Sequence, residues 1–197
     1  MKSKDKAVAL LHALIRQEIE SRGRSIILSP ELMEIEQKVA DWLLGNVKPW
    51  LMLSGNVGDG KTTILRAIQK FVIASDIQKP KRHENEYSDW WRMLVTQAKD
   101  YTQDYCKDPA LTRIYDNCDL LGIDDMGAEP AEMLVYGNPV FPIADLLMNR
   151  YARDRQVVIT TNLKTQEIRP RYGDRIADRL NEMCDRVVFP EQSYRGL

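Results

Sequence analysis

The run Leu51-Met52-Leu53-Ser54-Gly55-Asn56-Val57-Gly58-Asp59-Gly60-Lys61-Thr62-Thr63 constrains this chain more than any other stretch. It reads as an apolar strand, a glycine-rich turn and a helix whose apolar positions are Ile64, Leu65, Ala67, Ile68 and Phe71. The turn fits G-x-x-x-x-G-K-[ST], the phosphate-binding loop. Backbone N–H groups can wrap a polyphosphate only where side chains do not intervene, hence Gly55, Gly58 and Gly60. The helix that follows aims its unpaired N–H groups and positive dipole end at the same anion. Lys61 adds a mobile cation for the β and γ phosphates, and the Thr62 hydroxyl suits Mg²⁺. Asn56, Val57, Asp59 and Thr63 complete the binding segment.

At 197 residues the chain suffices for one well-cored domain, with 44% hydrophobic and 29% charged residues. A net charge of −1 supplies no global basic field, so any nucleic-acid contact must come from a local patch. Cys106, Cys118 and Cys184 are widely spaced and, with His12 and His83, form no metal-ligand pattern. Unpaired thiols suggest a reducing compartment. His12, Arg16 and Glu18 interrupt the apolar run after Lys2, Lys4 and Lys6, unlike a signal peptide, and no segment is long enough to span a bilayer. A cytoplasmic location with no membrane partner is expected.

Leu11, Leu14, Ile15 and Ile19 predict an amphipathic helix over 5–21, stopped at Gly23 and packed on its own domain or docked to a partner. Ser29 as N-cap with Pro30 at the first helical position opens a second helix, to about Leu44. Residues 1–45 thus form N-terminal helices available for partner docking, and 46–197 the nucleotide domain. A polar connection spans 76–89. Strands are expected at 91–95, 118–123, 156–160 and 187–189, with helices at 97–106, 143–153 and 173–184. Residues 127–142 read as a loop or broken helix, and 165–168 as one helical turn. Alternating strands and helices predict a parallel, doubly wound α/β sheet with helices on both faces.

Leu120-Leu121-Gly122-Ile123-Asp124-Asp125 is an apolar strand ending in carboxylates, the Walker B arrangement. Asp124 can hold the Mg²⁺ shell beside Thr62, and Asp125 can polarise the attacking water. Val157-Val158-Ile159-Thr160-Thr161-Asn162 ends a strand in hydroxyls and an amide, placing Asn162, or Thr161 beside it, near the γ-phosphate. In Tyr172-Gly173-Asp174-Arg175-Ile176-Ala177-Asp178-Arg179-Leu180, Arg175 and Arg179 share a helix face. They either pair locally with aspartates or offer an arginine finger to a neighbouring subunit's nucleotide. Arg150, Arg153, Arg155, Arg169 and Arg171 could track nucleic-acid phosphates or form a solvated face. A small-molecule P-loop kinase would explain neither Asp124-Asp125 nor Thr161-Asn162.

These motifs, in this order, resemble an AAA+ ATPase, and more narrowly the bacterial replicative-helicase loaders (DnaC type) and the related IstB-like transposition helpers. Asp124-Asp125-Met126-Gly127-Ala128-Glu129, Tyr172-Gly173-Asp174-Arg175 and the closing Ser193-Tyr194-Arg195 support the resemblance, which spans about residues 45 to 197. It implies a three-layer α/β/α P-loop NTPase core that lacks the C-terminal helical lid. The implied function is ATP binding and hydrolysis with Mg²⁺, coupled to loading a ring helicase onto DNA at replication initiation. The implied partners are a replicative helicase or a transposase, single-stranded DNA and further copies of the chain meeting at the ATP site. A transposition helper, or a nucleotide-gated adaptor with negligible turnover, is the alternative. By position, Asp124 matches the metal-binding acid, Asp125 the catalytic acid, Asn162 the first sensor and Arg179, with Arg175 as alternate, the arginine finger. Arg195 matches a second sensor. Asp125 is one methylene shorter than the glutamate common at this position in the superfamily, so slow turnover is expected.

Overall fold

The computed structural model describes residues 2–45, 48–75 and 92–190. In chain order the elements are α1 (Lys2–Glu20), α2 (Pro30–Leu43), β1 (Trp50–Ser54), α3 (Lys61–Ala74), β2 (Met93–Gln97), α4 (Ala98–Lys107), a 3-10 turn (Pro109–Thr112) and α5 (Arg113–Asn117). Then follow β3 (Leu120–Met126), β4 (Met133–Val135), β5 (Asn138–Val140), α6 (Pro142–Ala152), β6 (Gln156–Thr161), α7 (Thr165–Met183) and β7 (Cys184–Val188). The main sheet has five strands in the order β2-β3-β6-β1-β7, and every pairing is parallel.

The period of two in each strand sorts its side chains between two helical layers. Leu51, Leu53, Leu120, Val158 and Val187 pack with α1, α2 and α3. Trp50, Met52, Leu121, Ile123, Val157 and Ile159 pack with α4, α6 and α7. Burial on both faces is why these strands read as continuous apolar runs. Each fully buried Leu or Ile contributes about 1.5–3 kcal/mol. With β1 between β6 and β7, the carboxyl ends of β1, β3 and β6 open onto one edge of the sheet.

Ala7, Leu11 and Ile15 of α1, spaced four apart, are buried in the same cluster as Ile64, Leu65 and Ile68 of α3. Ion pairs Lys70–Glu18 (2.7 Å) and Lys4–Asp41 (2.8 Å) lie beside this contact. α1 thus packs on its own domain. Ser29 caps α2 as expected, its hydroxyl accepting from the Leu32 N–H at 3.2 Å.

Several boundaries differ from the sequence reading. Residues 127–142 contain a β-hairpin, because Tyr136 (φ 50°) and Gly137 (φ 79°) form a two-residue turn with positive φ at both positions. The strand expected at 91–95 is β2, ending at Gln97, which leads directly into α4; Trp91 lies outside the described residues. The turn at 165–168 and the helix from 173 join in α7, bent at Gly173, whose φ of 82° no β-carbon residue adopts cheaply. β7 begins at Cys184, taken from the sequence as helical. The connection 76–89 lies outside the described residues.

Tyr101 and Tyr105 pack against each other, their ring centroids 6.2 Å apart, and Tyr115 meets Tyr101 edge-on. Cys106, Cys118 and Cys184 are free thiols, and burial pushes Cys184 up to about 12.

Arg150 overturns its expected surface role. Fully buried, it donates to four backbone carbonyls, those of Tyr115, Cys118, Asp119 and Gln156, at 2.6–3.1 Å. It ties α5, the start of β3 and the start of β6 together, and periodicity alone could not separate a buried cation from an exposed one. Replacing Arg150 by Met keeps the apolar stem but strands those carbonyls, so unfolding in urea should lose at least about 3 kcal/mol. Arg153→Met, at an exposed position, should cost under about 0.5 kcal/mol.

Candidate nucleotide site

β1 delivers the glycine-rich turn to the carboxyl edge of the sheet, where two backbone bonds pin its base. The Gly55 N–H donates to the Thr161 carbonyl (3.3 Å), and the Phe189 N–H to the Ser54 carbonyl (2.7 Å). Gly58 (φ 97°) and Gly60 (φ 90°) bend the loop through the left-handed region, and α3 starts at Lys61 with its first-turn N–H groups facing the loop. Lys61 is buried, its ammonium curling back to donate to the carbonyls of Gly55 (3.0 Å) and Asn56 (2.5 Å).

The second half of the site hangs on Asp124, also buried. Its Oδ1 accepts from the Thr62 hydroxyl at 3.0 Å and from the Thr160 hydroxyl at 2.7 Å. The Asp125 N–H donates to the same Thr160 oxygen at 2.8 Å. Asp125 sits at φ 54°, inside a register shift between Ile123 and Met126 where β3 leaves its ladder with β6. A bulge of this kind re-aims a side chain at a strand end, and holding a non-glycine there costs about 1–3 kcal/mol. Thr161 closes the far side by donating to the Met126 carbonyl at 2.6 Å and accepting from the Leu163 N–H at 3.1 Å.

Val57 through Thr63, Asp125 and Asn162 line one cleft. The hydroxyl of Thr62 and the carboxylate of Asp124 are hard oxygen donors at adjacent positions, a set that suits Mg²⁺. Among the described residues no group of three or more His, Cys, Asp or Glu is placed to hold a metal ion.

The cleft continues past the loop into an apolar end lined by Ile15, Ile19, Ile26, Leu32 and Phe189, with Arg22 and Arg24 at its border. Arg22 pairs with Glu18 at 3.3 Å and reaches the Thr63 hydroxyl at 3.5 Å. The N-terminal helices and their linker thus build one wall of the site. Thr160 and this wall went unread in the sequence. Ile15 and Ile19 lie on an ordinary amphipathic stripe, and the Thr160 hydroxyl matters only once β3 and β6 are paired.

Arg175 and Arg179 do not line the cleft of their own chain. The Arg179 guanidinium lies 4.3 Å from the Tyr151 ring centroid and pairs with Glu182 at 2.6 Å. Arg195 lies outside the described residues. Of the other basic residues, Arg155 pairs with Asp119 (3.0 Å), Arg153 donates to Asn117 (2.9 Å) and Arg169 to Asp174 and Asp178. Arg171 donates to the Glu129 carbonyl, and buried Glu129 also accepts from Tyr172 and from the Gly127 N–H (2.8 Å). Burial, then the Glu129 charge, raises the Tyr172 phenol well above its usual range, keeping it a donor. The exit of β3 is thereby fastened to the bend of α7.

No protein-family model matches the sequence, and no curated protein matches it significantly. Solved structures do. Replication initiator DnaA bound to AMPPCP and single-stranded DNA aligns with TM-score 0.58 and 17% identity, covering 83% of this chain and 48% of that one. DnaI aligns with TM-score 0.60 and 16% identity over 86% of this chain and 88% of that one. A proposed primosome component from Streptococcus pyogenes serotype M3 aligns with TM-score 0.54 and 15% identity over 99% and 84%. The fold is the one these structures share, here a parallel five-stranded sheet between two layers of helices. The chain spans about half the length of the DnaA structure.

In this core, Thr160→Val keeps the shape of β6 but leaves Asp124 and the Asp125 N–H each short of a partner. Any ATP hydrolysis should fall at least tenfold in a phosphate-release assay, with ATP affinity changed less than threefold, roughly the loss of one bond to a charged group.

Proposed function

We propose that this chain binds ATP with Mg²⁺, hydrolyses it slowly, and uses that cycle to load a ring helicase onto DNA. The observation that carries the reading is the Thr62–Asp124 hydrogen bond at 3.0 Å, at the mouth of a glycine-rich loop, with Asp125 and Asn162 in the same cleft. Thr62 and Asp124 would hold the metal, which when bound draws charge from the β and γ phosphate oxygens. The loop N–H groups and Lys61 would cradle the phosphates, Lys61 exchanging its two carbonyl partners for anionic oxygens. Asp125, pushed out of the β3 ladder, would accept a proton from an attacking water that Asn162 orients. The apolar end between α1 and Phe189 suits a purine base.

Support for the replication role comes from the motif order and from the likeness to DnaA, DnaI and the proposed primosome component. The DnaA relative is bound to single-stranded DNA, and we extend that ligand class to this chain as part of the proposal. Since Arg175 and Arg179 do not line their own cleft, the arginine finger would come from a neighbouring copy. Site residues would then be divided between two chains.

Lys61→Ala should abolish ATP binding in a calorimetric titration; retained affinity would sink the phosphate-site assignment. Arg179→Ala should bind ATP like the unmodified chain yet lose DNA-stimulated hydrolysis. The stimulated rate per chain should rise with protein concentration, and a rate independent of it would argue against a shared site. Recovery of a ring helicase with the ATP-loaded chain tests the partner.

A further inference from the structure

Asp59 does not fit the electrostatics of the loop that holds it. It lies between Gly58 and Gly60, lines the cleft, and is only 3% exposed. Neither of its carboxylate oxygens accepts a hydrogen bond from the described residues. A β-carbon added at Gly55 would lie 2.7 Å from Asp59 Oδ2 and 2.7 Å from the Phe189 β-carbon. The carboxylate therefore lies against Gly55 at the base of the loop, at a point that Phe189 also approaches. The Lys61 ammonium donates to the carbonyls of Gly55 and Asn56. A buried carboxylate without a donor is destabilising in itself. Here it also shares its loop with the N–H groups that must face a polyanion, where the local dielectric is low and repulsion is weakly screened.

We propose that Asp59 is an affinity-setting residue, a negative charge built into the phosphate loop that weakens the hold on nucleoside polyphosphates and speeds their exchange. The inference rests on the nucleotide reading of the cleft and adds the sign and size of one residue's effect. The repulsion scales with ligand charge, so ATP is disfavoured more than ADP and an uncharged nucleoside hardly at all. Exchange then need not wait for a partner to pull the loop apart. The same charge costs stability in the empty protein, so its removal relieves a penalty in both states.

The test is a calorimetric titration of the full chain and of Asp59→Asn and Asp59→Ser with Mg²⁺-ATP, Mg²⁺-ADP and adenosine, alongside thermal melts without ligand. Both neutral variants should bind ATP at least tenfold tighter than the unmodified chain, gain less for ADP, leave adenosine within twofold, and melt no lower. The tightening should shrink as salt is raised. ATP affinity unchanged or weakened in variants that melt normally would overturn the role assigned to Asp59 while leaving the nucleotide site standing. An equal gain for adenosine would also overturn it, because the effect would then be steric. If neither the unmodified chain nor either variant binds ATP at millimolar concentration, the nucleotide reading falls, and this inference with it.

Discussion

Asp124 is the point at which three separately delivered pieces meet. Its Oδ1 takes one hydrogen bond from Thr62, on the first turn of the loop helix, and one from Thr160, at the end of β6. Thr160 in turn takes the N–H of Asp125, so one hydroxyl sets both the Asp124 carboxylate and the backbone of its displaced neighbour. A buried carboxylate without such donors would be costly; with them it becomes a rigid reference for the site. Everything else serves that geometry. The β1–β6 and β3–β6 ladders bring the strand ends level, Arg150 holds the far ends of β3 and β6 against α5, and Thr161 seals the near end.

The register shift in β3 is what makes two adjacent aspartates different. In a regular strand Asp124 and Asp125 would face opposite layers, one toward α1–α3 and one toward α4, α6 and α7. Leaving the ladder lets both serve one edge, Asp124 buried against the loop helix and Asp125 turned into the cleft. The backbone strain at Asp125 is offset by the Thr160 and Thr161 bonds on either side. Further along, buried Glu129 fastens the same exit to Arg171 and Tyr172, just before α7 bends at Gly173 toward Arg175 and Arg179. The segment that carries the displaced aspartate is thus connected to the helix that carries the arginines.

Much of this was legible in the sequence. Strand β1, the loop, the start of α3 and the carboxylates at the end of β3 follow from apolar runs and glycine spacing, because these features are local. The parallel sheet followed from alternating elements. What stayed hidden depends on pairing across the fold. Thr160 looks like any β-branched strand residue until β3 lies beside β6. Arg150 reads as a surface cation until four carbonyls surround it. The apolar end of the cleft uses Ile15 and Ile19, whose spacing says only that a helix has one greasy face. The hairpin after β3 was missed because its turn has tyrosine, not asparagine or aspartate, before the glycine.

The most direct test of the central claim is a crystal structure of the chain with a non-hydrolysable ATP analogue and Mg²⁺. The Thr62 hydroxyl should bond the ion at about 2.1 Å, with Asp124 beside it or in its water shell. Asp125 and Asn162 should face the terminal phosphate, with the base between Ile15, Ile26 and Phe189. A metal held without Thr62 and Asp124, or a base lying outside the wall built by the N-terminal helices, would contradict the claim.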